Sequence, residues 1–174
     1  MVVVDADAFH FLFRARKVLN DPLRSYLDSN ERELVTIATV HRRELIDGAR
    51  EYANELGLEV RPDPDEASLT RAQRKQRRKI ARKARNSPAS TNDEQLAFLA
   101  MDEGAPLLTQ DRRLASLATT LGGLVLEPLQ VLAVLNSATP MADTDLDEAL
   151  RQLGGDPPRS PTELEDAVPT VCEA

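Results

Sequence analysis

The chain opens on three consecutive valines, Val2 to Val4, followed directly by Asp5. A short β-branched run is typical of a strand that is buried on both faces, as in parallel sheets. Phe9, Leu12 and Phe13 then recur at helical spacing. A buried strand that leads straight into a helix is the start of a βαβ unit, and this feature constrains the fold more than any other.

Further short apolar runs follow the first one, and helical periodicity separates each run from the next. The predicted strands cover residues 34–37, 58–60, 107–109 and 124–126. Alternation of this kind over residues 1–136 predicts an α/β fold, a single domain with a mostly parallel central sheet flanked by helices.

Local signals predict several helix ends. Asp21-Pro22 predicts the start of a helix, because proline is favoured at the first helical position. One helix is expected after the second strand, ending at Gly57. Thr91 and Glu94 have the spacing of a capping box, so a further helix is predicted to begin there.

The charges along the chain are segregated. The sequence has 22 Lys and Arg against 29 Asp and Glu, a net charge of −7, yet residues 66–86 form a basic arm. Its nine cations are Arg71, Arg74, Lys75, Arg77, Arg78, Lys79, Arg82, Lys83 and Arg85. Because the arm has almost no apolar stripe, it is predicted to be either a solvated helix or a segment that orders on binding. It contains no aromatic residue, so in a nucleic-acid complex we expect it to contact phosphates rather than stacked bases.

Residues 137–174 are predicted to form an acidic C-terminal extension, with a short helix at about 145–153 and disorder from residue 156. Cys172 is the single cysteine and can form no internal disulfide, which favours a reducing, cytoplasmic location. No apolar run is long enough to cross a membrane, so no membrane partner is expected.

Four acidic residues follow predicted strands at the edge where parallel sheets bind ligands. Asp5 ends the first strand, Glu44 begins the helix after the second, Asp93 lies in the first turn of a capped helix, and Asp111 follows the fourth strand. Asp7 and Glu94 are nearby candidates. Carboxylates gathered in one cleft repel one another unless a divalent cation joins them, and oxygen ligands select Mg²⁺ or Mn²⁺.

Each of these acids also has a structural interpretation. Asp93 could be a first-turn acid that the helix dipole favours, and Asp111 could cap the helix that follows it. Glu44 taken alone is more often a solvated helix residue. Asp5 differs from them, because a carboxylate at the end of a buried strand is costly to bury without a partner.

Three segments of the sequence resemble the PIN-domain nucleases, a family that includes toxins and RNA-processing enzymes. The segments are VVVDADAF with Asp5, VHRREL with Glu44, and NDEQLAFLAMDEGAPLLTQDRRLASLA with Asp93 and Asp111. The resemblance implies a metal-dependent endoribonuclease in which these four acids form the catalytic metal site and Thr109 supports them. Asp7 departs from the family pattern, which often has a small hydroxyl or amide residue at this position. The arm is also far more basic than is usual in the family.

Several alternatives stay open. The chain could be the toxin of a toxin–antitoxin pair, with an antitoxin or a second copy as partner, or a non-catalytic RNA-binding protein. VVVDADAF also fits a haloacid-dehalogenase-type phosphatase, with Asp5 as nucleophile and Asp7 as acid–base. That family requires a lysine after the strand-end Thr109, and no lysine follows Thr109 in this sequence.

Overall fold

The computed structural model describes residues 1–85 and 89–153 of the chain. The strands are β1 (Val2–Val4), β2 (Leu34–Ile37), β3 (Glu59–Arg61), β4 (Leu107–Leu108) and β5 (Val125–Leu126). The helices in the described residues are α1 (Ala6–Arg14), α2 (Arg16–Ser29), α3 (Ala38–Arg43), α4 (Asp47–Leu56), α5 (Arg71–Ala84), α6 (Thr91–Asp102), α7 (Arg112–Thr120), α8 (Pro128–Ala138) and α9 (Asp143–Leu153). Cys172, the predicted disorder after residue 156 and the end of the basic arm at residue 86 lie outside the described residues.

The five strands form one sheet in the order β3-β2-β1-β4-β5, and every neighbouring pair is parallel. Val3 lies opposite Val35 of β2 on one side and Leu107 of β4 on the other. The predicted α/β class with a parallel sheet flanked by helices is confirmed. The strands lie where the apolar runs predicted them, with ends that differ by one residue.

The strand order creates a switch point at the centre of the sheet. The chain leaves β1 towards β2 on one side, and later returns to place β4 on the other side of β1. In open parallel sheets this reversal leaves a crevice at the carboxyl ends of the two central strands, where ligands bind. Asp5 and Thr109 immediately follow these two strands.

Contacts divide the chain into two units. The first comprises Met1–Phe9 and Glu33–Leu126 and contains the whole sheet. Within it α6 packs on β1, β2 and β4, and α5 packs on α6 and α7. The second unit comprises His10–Arg32 and Glu127–Ala174, and in its described part α2, α8 and α9 pack together. No helix of the described residues is long and apolar enough to span a membrane.

The predicted helix start at Pro22 is wrong, because Pro22 lies inside α2. The helix begins earlier, where the N–H groups of Val18 and Leu19 both donate to the Ala15 carbonyl. Leu19 and Leu23 are both buried on one side of this continuous helix. Their burial outweighs the cost of an internal proline, which is about 3 kcal/mol.

The single helix predicted after β2 is in fact two helices, although its predicted end at Gly57 is confirmed. Glu44 therefore caps the C-terminus of α3 instead of starting a helix. Val40 and Leu45 are both buried, and in one straight helix their side chains would point about 140° apart. The break between α3 and α4 allows both residues to reach the core.

The helix predicted to begin with Thr91 as its cap is capped one residue earlier, by Ser90. Serine is the stronger capping residue of the two. This shift makes Asp93, not Glu94, the partner in the capping box. In the predicted C-terminal extension, α9 is an ordered helix with Ala149 and Leu150 buried.

Candidate active site at the carboxyl edge of the sheet

Asp5 is held in one orientation directly after β1. Its side chain is buried, and the residue is 7% exposed. Oδ1 accepts a hydrogen bond from the Ala6 amide at 2.7 Å, and Oδ2 accepts one from the Thr109 hydroxyl at 2.9 Å. The cost of burying a carboxylate is thus partly offset by two donors, one from each side of the switch point.

Thr109 connects Asp5 to the start of α7. Its hydroxyl donates to Asp5 and accepts from the Asp111 amide at 3.0 Å, and the residue is 1% exposed. Because Thr109 follows β4 and Asp5 follows β1, this chain of hydrogen bonds crosses the crevice between the two central strands. Thr109 thus contacts Asp5 directly, and its supporting role in a metal site stays a prediction.

The pKa of Asp5 is raised from its ordinary value of 3.8 to about 6. Burial is the largest cause, because the ionised form loses its hydration. The hydrogen bonds from Thr109 and Ala6 act in the opposite direction. The charges of Asp7 and Glu44 raise the pKa further, which shows that both carboxylates lie within electrostatic range of Asp5.

Glu44 is tied to the first turn of α6. The amide Nδ2 of Asn92 donates to Glu44 Oε1, and both side chains are half-buried. Asn92 was not among the predicted site residues, although it directly precedes Asp93. This bond joins residues 48 apart in the chain and fixes the N-terminus of α6 beside the end of α3.

Asp93 and Asp111 both have local structural roles. Asp93 Oδ2 accepts from the Ser90 amide at 2.5 Å, and Ser90 Oγ accepts from the Asp93 amide at 3.1 Å. Asp111 caps α7, since its Oδ1 accepts from the amides of Arg113 at 2.6 Å and Leu114 at 3.3 Å. The structural interpretations of these two acids therefore hold, and the same bonds fix their carboxylates at helix N-termini.

The structure links the predicted site residues to different degrees. Asp5, Thr109 and Asp111 are joined by hydrogen bonds, and Asp7 and Glu44 act on Asp5 through their charge. Asp93 is connected to this set only through its neighbour Asn92. Within residues 1–85 and 89–153, no group of three or more His, Cys, Asp or Glu side chains is arranged to hold a metal ion.

The basic arm contains an ordered helix, α5. Thr70 caps it, forming a capping box with Gln73, and Ile80 and Ala84 are buried on its inner side. Eight of the nine cations lie in the helix, and Arg85 is its C-cap. Arg77 is half-buried and donates to the Pro64 carbonyl at 2.9 Å, whereas the other eight cations are exposed.

Replacing Thr109 with valine is expected to raise the pKa of Asp5 above about 6. Valine keeps the shape of threonine but removes the hydroxyl whose hydrogen bond lowers that pKa. An NMR titration of the Asp5 carboxyl carbon without metal measures the effect. Thr109→Ser retains the donor and serves as the matched control, and equal pKa values in Thr109→Val and the parent would contradict the prediction.

No protein-family model matches the chain, and no curated protein matches it. Among solved structures, the chain is similar to the protein PAE2754 from Pyrobaculum aerophilum, with a TM-score of 0.47 and 19% sequence identity. The alignment covers 78% of this chain and 89% of that one.

Proposed function

We propose that this protein is a metal-dependent endoribonuclease of the PIN type, with its active site at the carboxyl edge of the sheet. The observation that carries the proposal is Asp5, a buried carboxylate with a pKa of about 6 at the switch point, with Asp7 and Glu44 acting on it. Ionisable groups with perturbed pKa values at such a crevice are characteristic of catalytic sites.

Carboxylate oxygens are the donors that Mg²⁺ and Mn²⁺ prefer, although no three of them are gathered into a metal-ready group within the described residues. The residues that would hold the ion are Asp5, Glu44, Asp93 and Asp111, with Asp7 as a further oxygen donor. Asp7 and Glu44 each disfavour the ionised form of Asp5, and a divalent cation would offset this repulsion. A bound ion supplies Lewis-acid stabilisation of the phosphate and a lower pKa for the attacking water.

The residues of the chain position this chemistry. Thr109 and the Ala6 amide fix both oxygens of Asp5, so that its orientation needs no reorganisation on substrate binding. Thr109 and Asp111 are coupled through the Asp111 amide, which places the start of α7 beside the same crevice. Water then attacks phosphorus and the bond to the 3′-oxygen breaks, which leaves a 5′-phosphate and a 3′-hydroxyl.

The proposed substrate is RNA, and α5 is the feature that favours it. An acidic site repels a polyanion, and the exposed cations of α5 offset that repulsion. We further propose a cytoplasmic processing enzyme rather than a toxin, because this ordered basic helix supplies RNA binding within the same chain. A toxin would instead be recognised by a tight complex with an antitoxin.

Metal-dependent cleavage tests this function directly. The full-length protein is incubated with a panel of end-labelled RNAs in Mg²⁺, in Mn²⁺ and in EDTA. We expect cleavage with either ion, none in EDTA, and recovery when Mn²⁺ is restored. Cleavage of no RNA under any of these conditions would overturn the proposal.

A second candidate is a non-catalytic RNA-binding protein, favoured by the local structural roles of Asp93 and Asp111. In that case Asp93 and Asp111 serve only as helix caps, and α5 carries the function. RNA binding without metal-dependent cleavage, measured on the same panel, would favour this candidate.

A further inference from the structure

A groove with a volume of 710 Å³ lies beside α5, away from the acidic residues. Its lining comes from α5, from Met101 near the end of α6, and from Leu121 at the end of α7. The volume is in the range of sites that hold small molecules or single nucleotides. None of the residues proposed for catalysis lines it.

Four cations form the rim of the groove, namely Lys75, Arg78, Lys79 and Arg82. They recur at spacings of three and four residues, so they lie on one side of the helix over two turns. All four are exposed, and none has an ion-pair partner among the described residues. Arg77 differs, since it is held by the Pro64 carbonyl. The rim is therefore a row of available donors with the spacing of a helix face.

The floor of the groove is apolar. It consists of Ile80, Met101 and Leu121, of which Ile80 and Leu121 are 1% and 6% exposed, and the exposed Ala72 and the half-buried Gln76 complete the lining. A ligand that uses both rim and floor must combine negative charge with a flat apolar group. A nucleotide has both properties, and the thioether of a methionine packs favourably against aromatic rings. The sequence of the basic arm predicted contacts to phosphates only. Met101 of α6 and Leu121 of α7 lie outside the arm, and they add an apolar surface that a base can contact.

The groove and the acidic residues lie towards opposite ends of α6. Gln73 near the start of α5 donates to Asp102 at the end of α6 at 2.8 Å, whereas Asn92 binds Glu44 at the other end. From Asn92 to Met101 the distance along the helix axis is about 14 Å. Because α5 packs on α6, the path from the acidic residues to the groove also crosses one interhelix distance of about 8–10 Å.

We propose that this groove is a second RNA-binding site, which holds a single-stranded segment with phosphates on the cationic rim and a base on the apolar floor. RNA as the ligand rests on the proposed function. A strand that reaches both sites must span about 22–24 Å, or about seven stacked nucleotides at ~3.4 Å each. The site therefore selects RNAs of at least this length.

Binding without cleavage tests the rim. The full-length protein in EDTA is titrated into a fluorescent single strand of about 12 nucleotides, and anisotropy is recorded over a range of salt concentrations. In the rim variant, Lys75, Arg78, Lys79 and Arg82 are all changed to Gln. We expect its affinity to fall at least about tenfold at low salt, and its salt slope to fall by about 2.8, since each phosphate contact contributes about 0.7.

The matched control changes Arg71, Arg74, Lys83 and Arg85 to Gln. It removes the same charge from the same helical segment but leaves the four rim cations in place. We expect a loss of affinity at least threefold smaller than in the rim variant. Equal losses of RNA affinity in the two variants would overturn the proposed groove site, because they would mean that all cations of the segment contribute alike.

A substitution in the lining of the groove tests the proposed contact with an RNA base. Ala72→Leu narrows the groove at constant charge and keeps a strong helix former. We expect weaker binding of the RNA and unchanged binding of inorganic polyphosphate. Unchanged RNA binding by Ala72→Leu would overturn the proposed base contact.

These outcomes are distinguishable from failure of the nuclease proposal. If no RNA is cleaved but the rim variant and the matched control differ as expected, the proposed RNA-binding groove is supported and the proposed nuclease activity is contradicted. If RNA is cleaved, the rim variant should lose kcat/KM on a strand of about 12 nucleotides and keep it on one of about four. Equal losses on both lengths would contradict the separation of the two sites.

Discussion

Replacing Asp5 with asparagine is expected to lower metal-dependent RNA cleavage by about 10²-fold or more. The change removes the charge of a carboxylate that lies in the switch-point crevice with both oxygens fixed by donors. Losses on this scale are typical when a single catalytic charge or donor is removed. Cleavage of the best RNA in the panel, followed in Mn²⁺ under single-turnover conditions, measures the effect.

The control for this loss is Asp28→Asn. Asp28 is exposed on α2, outside the candidate site, so that Asp28→Asn makes the same chemical change as Asp5→Asn at a remote position. We expect its cleavage rate to match that of the parent. RNA binding by α5 should persist in both variants, because neither alters the basic helix. An Asp5→Asn protein that cleaves RNA at the parent's rate would remove Asp5 from the mechanism.

The central strands could be predicted from the sequence because their signal is local. Val2 to Val4 and residues 34–37 are unbroken apolar or β-branched runs, and the sheet buries them at its centre. A strand that must be apolar on both faces has few alternatives. The order of the strands follows from packing between distant segments, and no local pattern specified it.

Predicted helix boundaries were wrong where tertiary packing outweighed a local preference. The Asp21-Pro22 pair has the chemistry of a helix start, but burial of Leu19 and Leu23 holds one helix through the proline. Propensity is a weak constraint compared with the burial of two leucines. The break at Glu44 has the same origin in the core.

The candidate site was predictable one residue at a time but not as a geometry. The cost of burying Asp5 is visible in the sequence, because the residue follows three valines. The bond between Asn92 and Glu44 joins two distant segments and leaves no local pattern. Asp93 and Asp111 have capping spacings that any helix start can share, so their sequence context could not separate a structural role from a catalytic one.

The basic arm shows how a few buried positions decide a local structure. Its composition allowed either a solvated helix or a segment that orders on binding. Thr70 supplies a cap at one end, and Ile80 and Ala84 provide the only two fully buried contacts within the described helix. The cap, the two buried side chains and the hydrogen bond from Gln73 to Asp102 together hold α5 on α6 and α7.

The second large effect that we expect is on stability. With a pKa of about 6 in the folded protein against an ordinary 3.8, Asp5 binds its proton more tightly when folded. Below pH 3.8 the carboxyl is neutral in both states and contributes no penalty. Between pH 3.8 and about 6 the unfolded chain releases this proton while the folded protein retains it, so stability falls progressively by about 3 kcal/mol in total from this residue and then stays constant.

Asp5→Asn removes this pH-dependent penalty. Urea unfolding of the parent and the variant in EDTA between pH 4 and pH 8 should therefore show a difference that grows in favour of Asp5→Asn and levels off above pH 6. Taking the difference between the two proteins cancels the other carboxyl groups, which they share. If Asp5 were only structural, its loss would destabilise the protein at neutral pH, and that result would contradict the prediction. Adding Mn²⁺ at pH 7.5 should narrow the difference, because a cation that binds ionised Asp5 stabilises the parent and not the variant.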